Sequence, residues 1–247
     1  MLSKAKISLI RSLEEKKFRQ KESLFVVEGE KMLLELSQSG WSFQQVFLTQ
    51  AFLEKHPGKF PSAALISEEE LKKISFLKTS SSGLALVKFP STPSLEIQPN
   101  GFYLVLDGIR DPGNLGTIIR TCDWFGISDI ICSTDTVDFT NPKVIQSSMG
   151  SIFRVNLHYL DLNTFFSDIQ TPMPIFGADM KGKNLYQTKL NQGFLLIGNE
   201  ADGLRPATRK VITQFLSIPQ VGTKVESLNA SIATAIICAE RFRQMQY

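Results

Sequence analysis

Cysteine and histidine are scarce in this chain of 247 residues, which has three cysteines and two histidines. Cys122, Cys132 and Cys238 stand far apart, and no CxxC pair occurs. This spacing is unlike that of a zinc site or a disulfide framework, so we expect no bound metal. Apolar residues surround the cysteines, and we therefore interpret all three as buried structural thiols.

Long hydrophobic segments are also missing. No apolar run approaches the about 20 residues that a membrane-spanning helix needs. The N-terminal sequence MLSKAKISLIRSLEEKK becomes charged too early to contain the apolar core of a signal peptide. Apolar residues make up 43% of the chain and charged residues 21%, which is typical of a globular protein. These features predict a cytoplasmic protein that is not attached to a membrane.

The net charge of +3 is low for a protein that binds a polyanion, but it is unevenly distributed. Residues 1–90 contain 14 basic and 10 acidic residues, whereas residues 101–247 contain 13 of each. The pattern is compatible either with a solvated helix face or with a local surface for a polyanion. The first 21 residues hold seven of the basic side chains: Lys4, Lys6, Arg11, Lys16, Lys17, Arg19 and Lys21.

The stretch FPSTPSLEIQPN, residues 89–100, separates two parts of the chain. Its three prolines cannot continue a helix or a central strand. We therefore predict an extended linker over residues 91–100, between a domain of residues 1–90 and a domain of residues 101–247. Short helical and strand patterns in the first domain predict a small αβ sandwich.

In the second domain, uniformly apolar strands alternate with helices. This pattern predicts an α/β fold with a parallel sheet that is covered on both faces. The predicted strands are Phe102–Leu106, Ile130–Cys132, Ile175–Gly177, Phe194–Ile197 and Phe215–Ile218, and the predicted helices are Leu115–Phe125, Pro142–Met149 and Ser227–Gln244.

A first group of polar residues follows the strand Phe102–Leu106. The loop after this strand contains Asp107 and Asn114, and Arg120 lies on the next predicted helix among apolar residues. Ligands of open parallel sheets bind beyond such strand ends, and a helix N-terminus offers free backbone N–H groups there. The dinucleotide fingerprint GxGxxG is absent. Arg120 either pairs with a carboxylate or faces a cleft.

A second group follows the strand Phe194–Ile197, which ends abruptly at Gly198-Asn199-Glu200. The side chains of Asn199 and Glu200 can bond sugar hydroxyls or an amine, and glycine lets the backbone approach a ligand closely. The alternative is an ordinary loop whose side chains cap a helix.

A third group follows the strand Phe215–Ile218. The chain passes through a loop with Gly222 to Ser227 and Asn229 at the start of the last helix, where these side chains serve as N-caps, bind a ligand, or do both. If the three strands are neighbours, their loops converge on one pocket. The last helix also has an apolar stripe at helical spacing, formed by Leu228, Ile232, Ile236 and Ala239.

The three segments resemble, in order and with suitable separations, the three sequence motifs of the SpoU (TrmH) family of RNA 2′-O-ribose methyltransferases in the SPOUT superfamily. Residues 147–155 and residues 19–35 are also similar to segments of family members, so the resemblance covers nearly the whole chain. The chain departs from the family pattern at Cys122, Ala201 and Gln220, none of which is a polar site residue of the family. The matching residues are Asn114-Leu115-Gly116, Arg120 and Gly126 in the first motif, Gly198-Asn199-Glu200 and Gly203-Leu204 in the second, and Ile218-Pro219, Gly222 and Ser227-Leu228-Asn229 in the third.

The resemblance implies a catalytic domain with a deep trefoil knot near its C-terminus, preceded by a ribosomal-protein-like αβ domain that binds the RNA substrate. It implies a homodimer formed by the C-terminal domains, with S-adenosylmethionine as cofactor. Ribosomal RNA is preferred over transfer RNA as the substrate, and the seven basic residues of the N-terminus are the expected RNA contacts. The implied cofactor-binding residues are Ile197, Gly198, Asn199, Ile218, Ser227 and Leu228, and the implied catalytic group is Arg120, Asn114, Glu200, Ser227 and Asn229.

Two other functions remain as alternatives. A protein on the same scaffold could bind RNA without catalysis, but the intact Asn114, Arg120 and Glu200 argue against this. The parallel sheet alone would also suit a nucleotide-dependent oxidoreductase, since a fold does not determine a function. The missing glycine fingerprint argues against this second alternative.

Overall fold

The computed structural model describes residues 1–79, 81–169, 172–199, 201–222 and 226–246. Its contacts divide the chain into two compact units. Unit 1 contains Met1–Ser91 and Asp138–Arg154, and unit 2 contains Thr92–Val137 and the chain from Val155 onward. The domain boundaries predicted from the linker stay a prediction, and the packing assigns the segment 138–154 to unit 1. None of the described helices combines the length and the apolar character needed to cross a bilayer.

Unit 1 is built around a mixed four-stranded sheet. Its first helices and strands are α1 (Lys4–Ser12), α2 (Lys16–Glu22), β1 (Leu24–Glu28), α3 (Glu30–Leu36), β2 (Phe43–Leu48), α4 (Gln50–Lys55), β3 (Ala64–Leu65), α5 (Glu68–Ile74) and β4 (Gly83–Lys88). The strand order is β1-β4-β2-β3, and β4 pairs antiparallel with both β1 and β2. Helix α5 begins at Ser67 with a capping box, in which the Ser67 hydroxyl accepts from the Glu70 N–H and the Glu70 carboxylate accepts from the Ser67 N–H.

Unit 2 contains the predicted parallel sheet and the helices that cover it. Along the rest of the chain the elements are β5 (Phe102–Asp107), α6 (Pro112–Trp124), β6 (Asp129–Ser133), α7 (Pro142–Ser148), β7 (Asn156–Leu160), α8 (Leu162–Asp168), β8 (Ile175–Asn184), β9 (Gly193–Gly198), α9 (Pro206–Arg209), β10 (Gln214–Ser217) and α10 (Ala230–Gln246), of which α7 belongs to unit 1. The six strands of unit 2 pair in parallel in the order β10-β8-β9-β5-β6-β7, which confirms the predicted α/β class. The knot implied by the family stays a prediction.

Several elements differ from the sequence prediction, among them helices α8 and α9, which were not predicted, and helix α6, which begins at Pro112 instead of Leu115. Strand β7 was not predicted because polar Asn156 and His158 interrupt its apolar pattern. Polar residues are tolerated there because β7 lies at one edge of the described sheet. Strand β8 runs past the predicted Gly177 to Asn184. The last helix was predicted to begin at Ser227 but begins at Ala230, because the preceding Asn229 accepts the Ser231 N–H as an N-cap.

Helices α6 and α10 of unit 2 lie side by side and run in the same direction. Near their first turns the Asn229 side-chain amide donates to the Asn114 side-chain oxygen over 2.9 Å. Near their last turns the rings of Phe125 and Phe242 are 5.8 Å apart. The two contacts bring the first and third motifs together.

The segment 138–154 is part of unit 1 because its side chains pack on the unit's sheet and first helices. Helix α7 packs on β1, and the ring of Phe153 meets that of Trp41 edge to face at 4.9 Å. Arg154 forms an ion pair with Glu35. A stretch that lies between two strands of the unit 2 sheet in sequence therefore contributes to the core of unit 1.

Arg19 holds the start of this segment and corrects the predicted RNA-contacting set. Its side chain is buried, with the residue only 1% exposed. The guanidinium donates to Asp138 over 2.8 Å and to the Thr140 hydroxyl over 3.0 Å, and to the carbonyl oxygens of Leu13 and Glu14. The residue is buried and makes four hydrogen bonds inside the unit, so the prediction that Arg19 contacts RNA is wrong.

Candidate active site

The polar loops of unit 2 lie at the carboxyl ends of its parallel strands. Strand β5 pairs directly with β9, and Asp107 stands opposite Gly198 at their ends. Strand β10 is separated from β9 by β8, so the condition that the three strands are neighbours is not met. Residues at the middle of β8, Ala178, Asp179 and Met180, accordingly join the second and third loops in lining one cavity.

The cavity has a volume of about 640 Å³. It includes all six residues that the family resemblance implies for cofactor binding: Ile197, Gly198, Asn199, Ile218, Ser227 and Leu228. Its polar part is acidic, because Asp179, Asp202 and Glu226 line it and no lysine or arginine occurs among its described lining residues. Burial opposes ionisation of Asp179, but hydrogen bonds from the Lys181 N–H and from Arg209 outweigh it and lower the pKa of this carboxyl. The cavity therefore suits a ligand that has both an apolar part and positive charge.

The loop of the second motif folds back on itself beside this cavity. Asn199 and Gly203 exchange backbone hydrogen bonds of 3.0 and 3.1 Å, and the Asn199 side-chain oxygen accepts the N–H of Ala201. Gly198 leaves no room for a side chain, since a Cβ there would lie 2.2 Å from the Gly203 carbonyl carbon. Glycine at this position is thus required by the loop's own backbone. The predicted catalytic residue Glu200 lies outside the described residues.

The first and third motifs supply the other predicted catalytic residues. Asn114 lies in the first turn of α6, where its N–H donates to the N-cap Asp111. Its side-chain oxygen accepts from Asn229, whose own side-chain oxygen accepts from the Ser231 N–H and hydroxyl. Asn229 therefore both caps α10 and links the first motif to the third. Ser227, two residues earlier in the chain, lies in the cavity wall.

Arg120 lies on the exposed face of α6, which it shares with Thr117 and Trp124. Among the described residues no carboxylate forms an ion pair with it. Of the two interpretations that the sequence left open, an ion pair with a carboxylate or a position facing a cleft, the described contacts give no support to the ion pair. Arg120 is exposed and is not among the residues that line the cavity.

Asp107, Arg205 and Thr208 form a polar cluster around a buried carboxylate, which the sequence prediction did not assign. Asp107 is fully buried at the end of β5 and accepts hydrogen bonds from the Arg205 N–H at 3.0 Å, from the Arg205 guanidinium and from the Thr208 hydroxyl. Burial lowers the pKa of Arg205, but Asp107 outweighs this effect, and the pKa lies above its usual value. The sequence signal that could have indicated this cluster is a carboxylate directly after an apolar strand. Such a charge needs a partner when it is buried.

The three cysteines are buried, as predicted. Burial raises the pKa of each thiol, and that of Cys238 reaches about 12. Thiols of this kind have little thiolate character and pack as small apolar side chains.

By its fold and site the protein is an α/β protein, with a parallel sheet and an acidic, partly apolar ligand cavity at the strand ends. A small αβ unit precedes this parallel unit in the sequence. Residues 101–239 match the SpoU rRNA Methylase family model, and residues 4–85 match the MRM3-like substrate binding domain. The chain therefore belongs to the SpoU rRNA Methylase family.

Relatives and solved structures agree with this assignment. The 23S rRNA (guanosine(2553)-2′-O)-methyltransferase RlmP of Bacillus subtilis is 27% identical over 237 residues, 92% of both chains. The 23S rRNA (guanosine-2′-O-)-methyltransferase RlmB of Pasteurella multocida is 35% identical over 155 residues, 61% of this chain and 63% of RlmB. The AdoMet-bound rRNA methyltransferase of Sinorhizobium meliloti, 27% identical, has a TM-score of 0.88 over 99% of this chain and 97% of its own. A TrmH-family structure from Porphyromonas gingivalis, 36% identical, has a TM-score of 0.87 over 99% of both chains. The predicted family is confirmed.

Proposed function

We propose that this protein transfers the methyl group of S-adenosylmethionine to a ribose 2′-hydroxyl of a structured RNA, and that ribosomal RNA is its substrate. The observation that carries the proposal is the single cavity wall formed by all six residues expected to bind the cofactor. Relatives named for 2′-O-methylation of 23S rRNA support the choice of RNA.

The described residues of the cavity fit S-adenosylmethionine. A volume of about 640 Å³ lies within the range of about 300–1,000 Å³ that is typical of small-molecule sites. The carboxylates of Asp202 and Glu226 are suited to offset the positive charges of a sulfonium and an amine, whereas Asp179 is already paired with Arg209. When bound, the cofactor supplies an activated methyl group, so the protein has to orient the ribose and accept a proton.

We assign the contact with the attacking 2′-oxygen to Arg120. A guanidinium with a pKa above about 12 is a poor proton acceptor but a good donor to an oxygen that is gaining negative charge. Asn114 and Asn229 are placed to order the start of α6, on which Arg120 lies. Asp111 and Glu200 are the candidate acceptors for the hydroxyl proton.

Methyl transfer can be measured directly with the purified protein and S-adenosylmethionine labelled in its methyl group. We expect label in 23S rRNA and little in transfer RNA, and nuclease digestion should release it as a 2′-O-methylnucleoside. Label in transfer RNA alone would contradict the choice of substrate. RNA binding without any label would support the alternative of a non-catalytic RNA-binding protein.

We further propose that the protein is a homodimer formed through α6 and α10. The apolar stripe of α10 faces outward, with Ile232 52% exposed, and Trp124 on α6 is 83% exposed. A second copy would cover this apolar surface, and Arg120 on the same face of α6 would then lie at the subunit interface.

Replacing Ile232 with aspartate is expected to convert the dimer to a monomer at micromolar concentration, because an unpaired charge would be buried in the interface. Analytical ultracentrifugation measures the mass. The matched control is Leu65→Asp, an exposed leucine of unit 1, which should leave the mass unchanged. A wild-type protein that is monomeric at all micromolar concentrations would refute the proposal.

The basic residues of the N-terminus are proposed to contact RNA phosphates, without Arg19. Lys4, Lys6 and Lys16 have no ion pair among the described residues, whereas Lys17 and Lys21 pair with neighbouring glutamates. Removing residues 1–95 would be a poor test, because the segment 138–154 would lose the unit on which it packs.

Replacing Lys4, Lys6 and Lys16 together with glutamine is expected to weaken RNA binding and to flatten its dependence on salt. Each lost phosphate contact lowers the slope of log K against log salt by about 0.7–0.9. Fluorescence anisotropy between low and moderate salt measures both effects. The control Lys72→Gln/Lys73→Gln removes exposed charges from α5. Equal losses in the two variants would show that only overall charge matters.

A further inference from the structure

The loop of the second motif, residues 199–205, is attached at both of its ends to two consecutive residues of strand β5 and its extension. At the start of the loop, the Asn199 side-chain amide donates to the Gly108 carbonyl oxygen over 2.7 Å. At its end, Arg205 donates to the buried Asp107 through both its N–H and its guanidinium. The end of β5 thus contacts the loop at both of the loop's ends.

Between these two points the described loop residues bond mainly to one another: Asn199 and Gly203 exchange backbone hydrogen bonds, and the Asn199 side-chain oxygen accepts the Ala201 N–H. Ala201 and Asp202 are exposed, and Gly203 has a φ of +67°. Leu204 is buried and belongs to the same apolar core cluster as Val105 and Leu196. Asn199, Ala201, Asp202 and Gly203 nevertheless form part of the cavity wall. The position of this wall therefore depends on the polar attachments at the loop ends.

The attachment at Asp107 is the stronger of the two. Its carboxylate is fully buried, while the Arg205 side chain is 43% exposed and also approaches Asp135 at 3.3 Å. The Thr208 hydroxyl is a further donor, so the carboxylate accepts hydrogen bonds from a backbone amide, a guanidinium and a hydroxyl. A buried carboxylate with this set of donors is held in one position, and it also restricts the positions of the groups that donate to it.

We propose that Asp107 and Arg205 are positioning residues, which set the affinity for S-adenosylmethionine by fixing the loop 199–205 against the end of β5. Neither side chain lines the cavity, so the pair acts through the loop backbone. This inference rests on the proposed function, because it assigns the cavity to that cofactor.

The test compares Asp107→Asn, Arg205→Gln and the double variant in the full-length protein. Each single variant is expected to raise the KM for S-adenosylmethionine about tenfold, as loss of one charge-assisted hydrogen bond would. The kcat and the KM for RNA should change less than about twofold. Because the two residues act through each other, the double variant should have a KM close to that of the single variants.

The matched control is Glu240→Gln on α10, which removes another buried carboxylate that is paired with an arginine in the same unit. It is expected to lower the melting temperature without changing the KM for S-adenosylmethionine, so it separates a structural effect from a positioning effect. If Asp107→Asn does not fold, the test relies on Arg205→Gln. The Arg205 side chain is partly exposed, so its replacement is expected to disturb the fold less.

Isothermal calorimetry with S-adenosylmethionine and the wild-type protein separates the possible failures. No binding to the wild type would overturn the proposed function. Binding to the wild type together with an unchanged KM in a folded Arg205→Gln variant would overturn this inference alone.

Discussion

Replacing Arg120 with alanine is expected to abolish methyl transfer while leaving the fold and cofactor binding intact. The 2′-hydroxyl of a ribose is a weak nucleophile, and its oxygen gains negative charge as the methyl group arrives. A positioned donor to such an oxygen contributes about 100- to 1,000-fold to kcat. Arg120 is exposed on α6 and forms no ion pair with the described residues, so its removal breaks no described structural contact.

Three measurements make this expectation specific. Initial rates with labelled S-adenosylmethionine should fall by at least about 100-fold, and calorimetry should give an unchanged Kd for the cofactor. The melting temperature should stay within error of the wild type. Arg120→Lys should also be poor, because a point charge does not replace a planar group of several donors.

Two results would contradict the assignment of Arg120. Near-normal turnover by Arg120→Ala would show that another residue contacts the attacking oxygen. A large fall in melting temperature would show that Arg120 has a structural role.

Replacing Arg19 with alanine is expected to destabilise the protein by about 3–5 kcal/mol, the cost of leaving one member of a buried ion pair without its partner. Arg19 satisfies Asp138, Thr140 and two carbonyl oxygens at once. Lysine has a single charged nitrogen and cannot reach all of these acceptors, so Arg19→Lys should also be strongly destabilising.

Urea denaturation measures the free energy of unfolding, and hydrogen exchange locates the effect. Amides of residues 138–154 should lose protection before those of β5 and β9. The matched control is Lys17→Ala on the same helix, whose surface ion pair with Glu15 is worth less than about 0.5 kcal/mol. Equal stability of the Arg19 and Lys17 variants would show that the buried pair does not hold the segment.

The motifs of unit 2 could be predicted because each of them is local. A strand end, a glycine and a polar side chain within a few residues are readable from the chain, and Ile197, Ile218 and Leu228 do meet in one cavity. The order of the strands was not readable, since β8 separates β9 from β10 through pairings between distant residues. The Asp107–Arg205 pair was missed for the same reason, although both residues stand beside the predicted motifs.

Charge was the least reliable sequence signal for individual residues. Seven basic residues near the N-terminus look alike in sequence, yet one of them is buried. The acceptors that bury Arg19 include Asp138, which lies 119 residues away in the chain. A count of charges describes the electrostatic field of a segment and not the environment of each side chain.

The sequence by itself determined the alternation of strands and helices, the three motifs and hence the family, because apolar periodicity and turn chemistry act between near neighbours in the chain. Only the tertiary structure decided which charges are buried, which stripe of α10 stays exposed and where the segment 138–154 packs. These outcomes depend on contacts between residues far apart in sequence. The free energy of burying a charge or an apolar side chain is set by the partners that the fold brings to it.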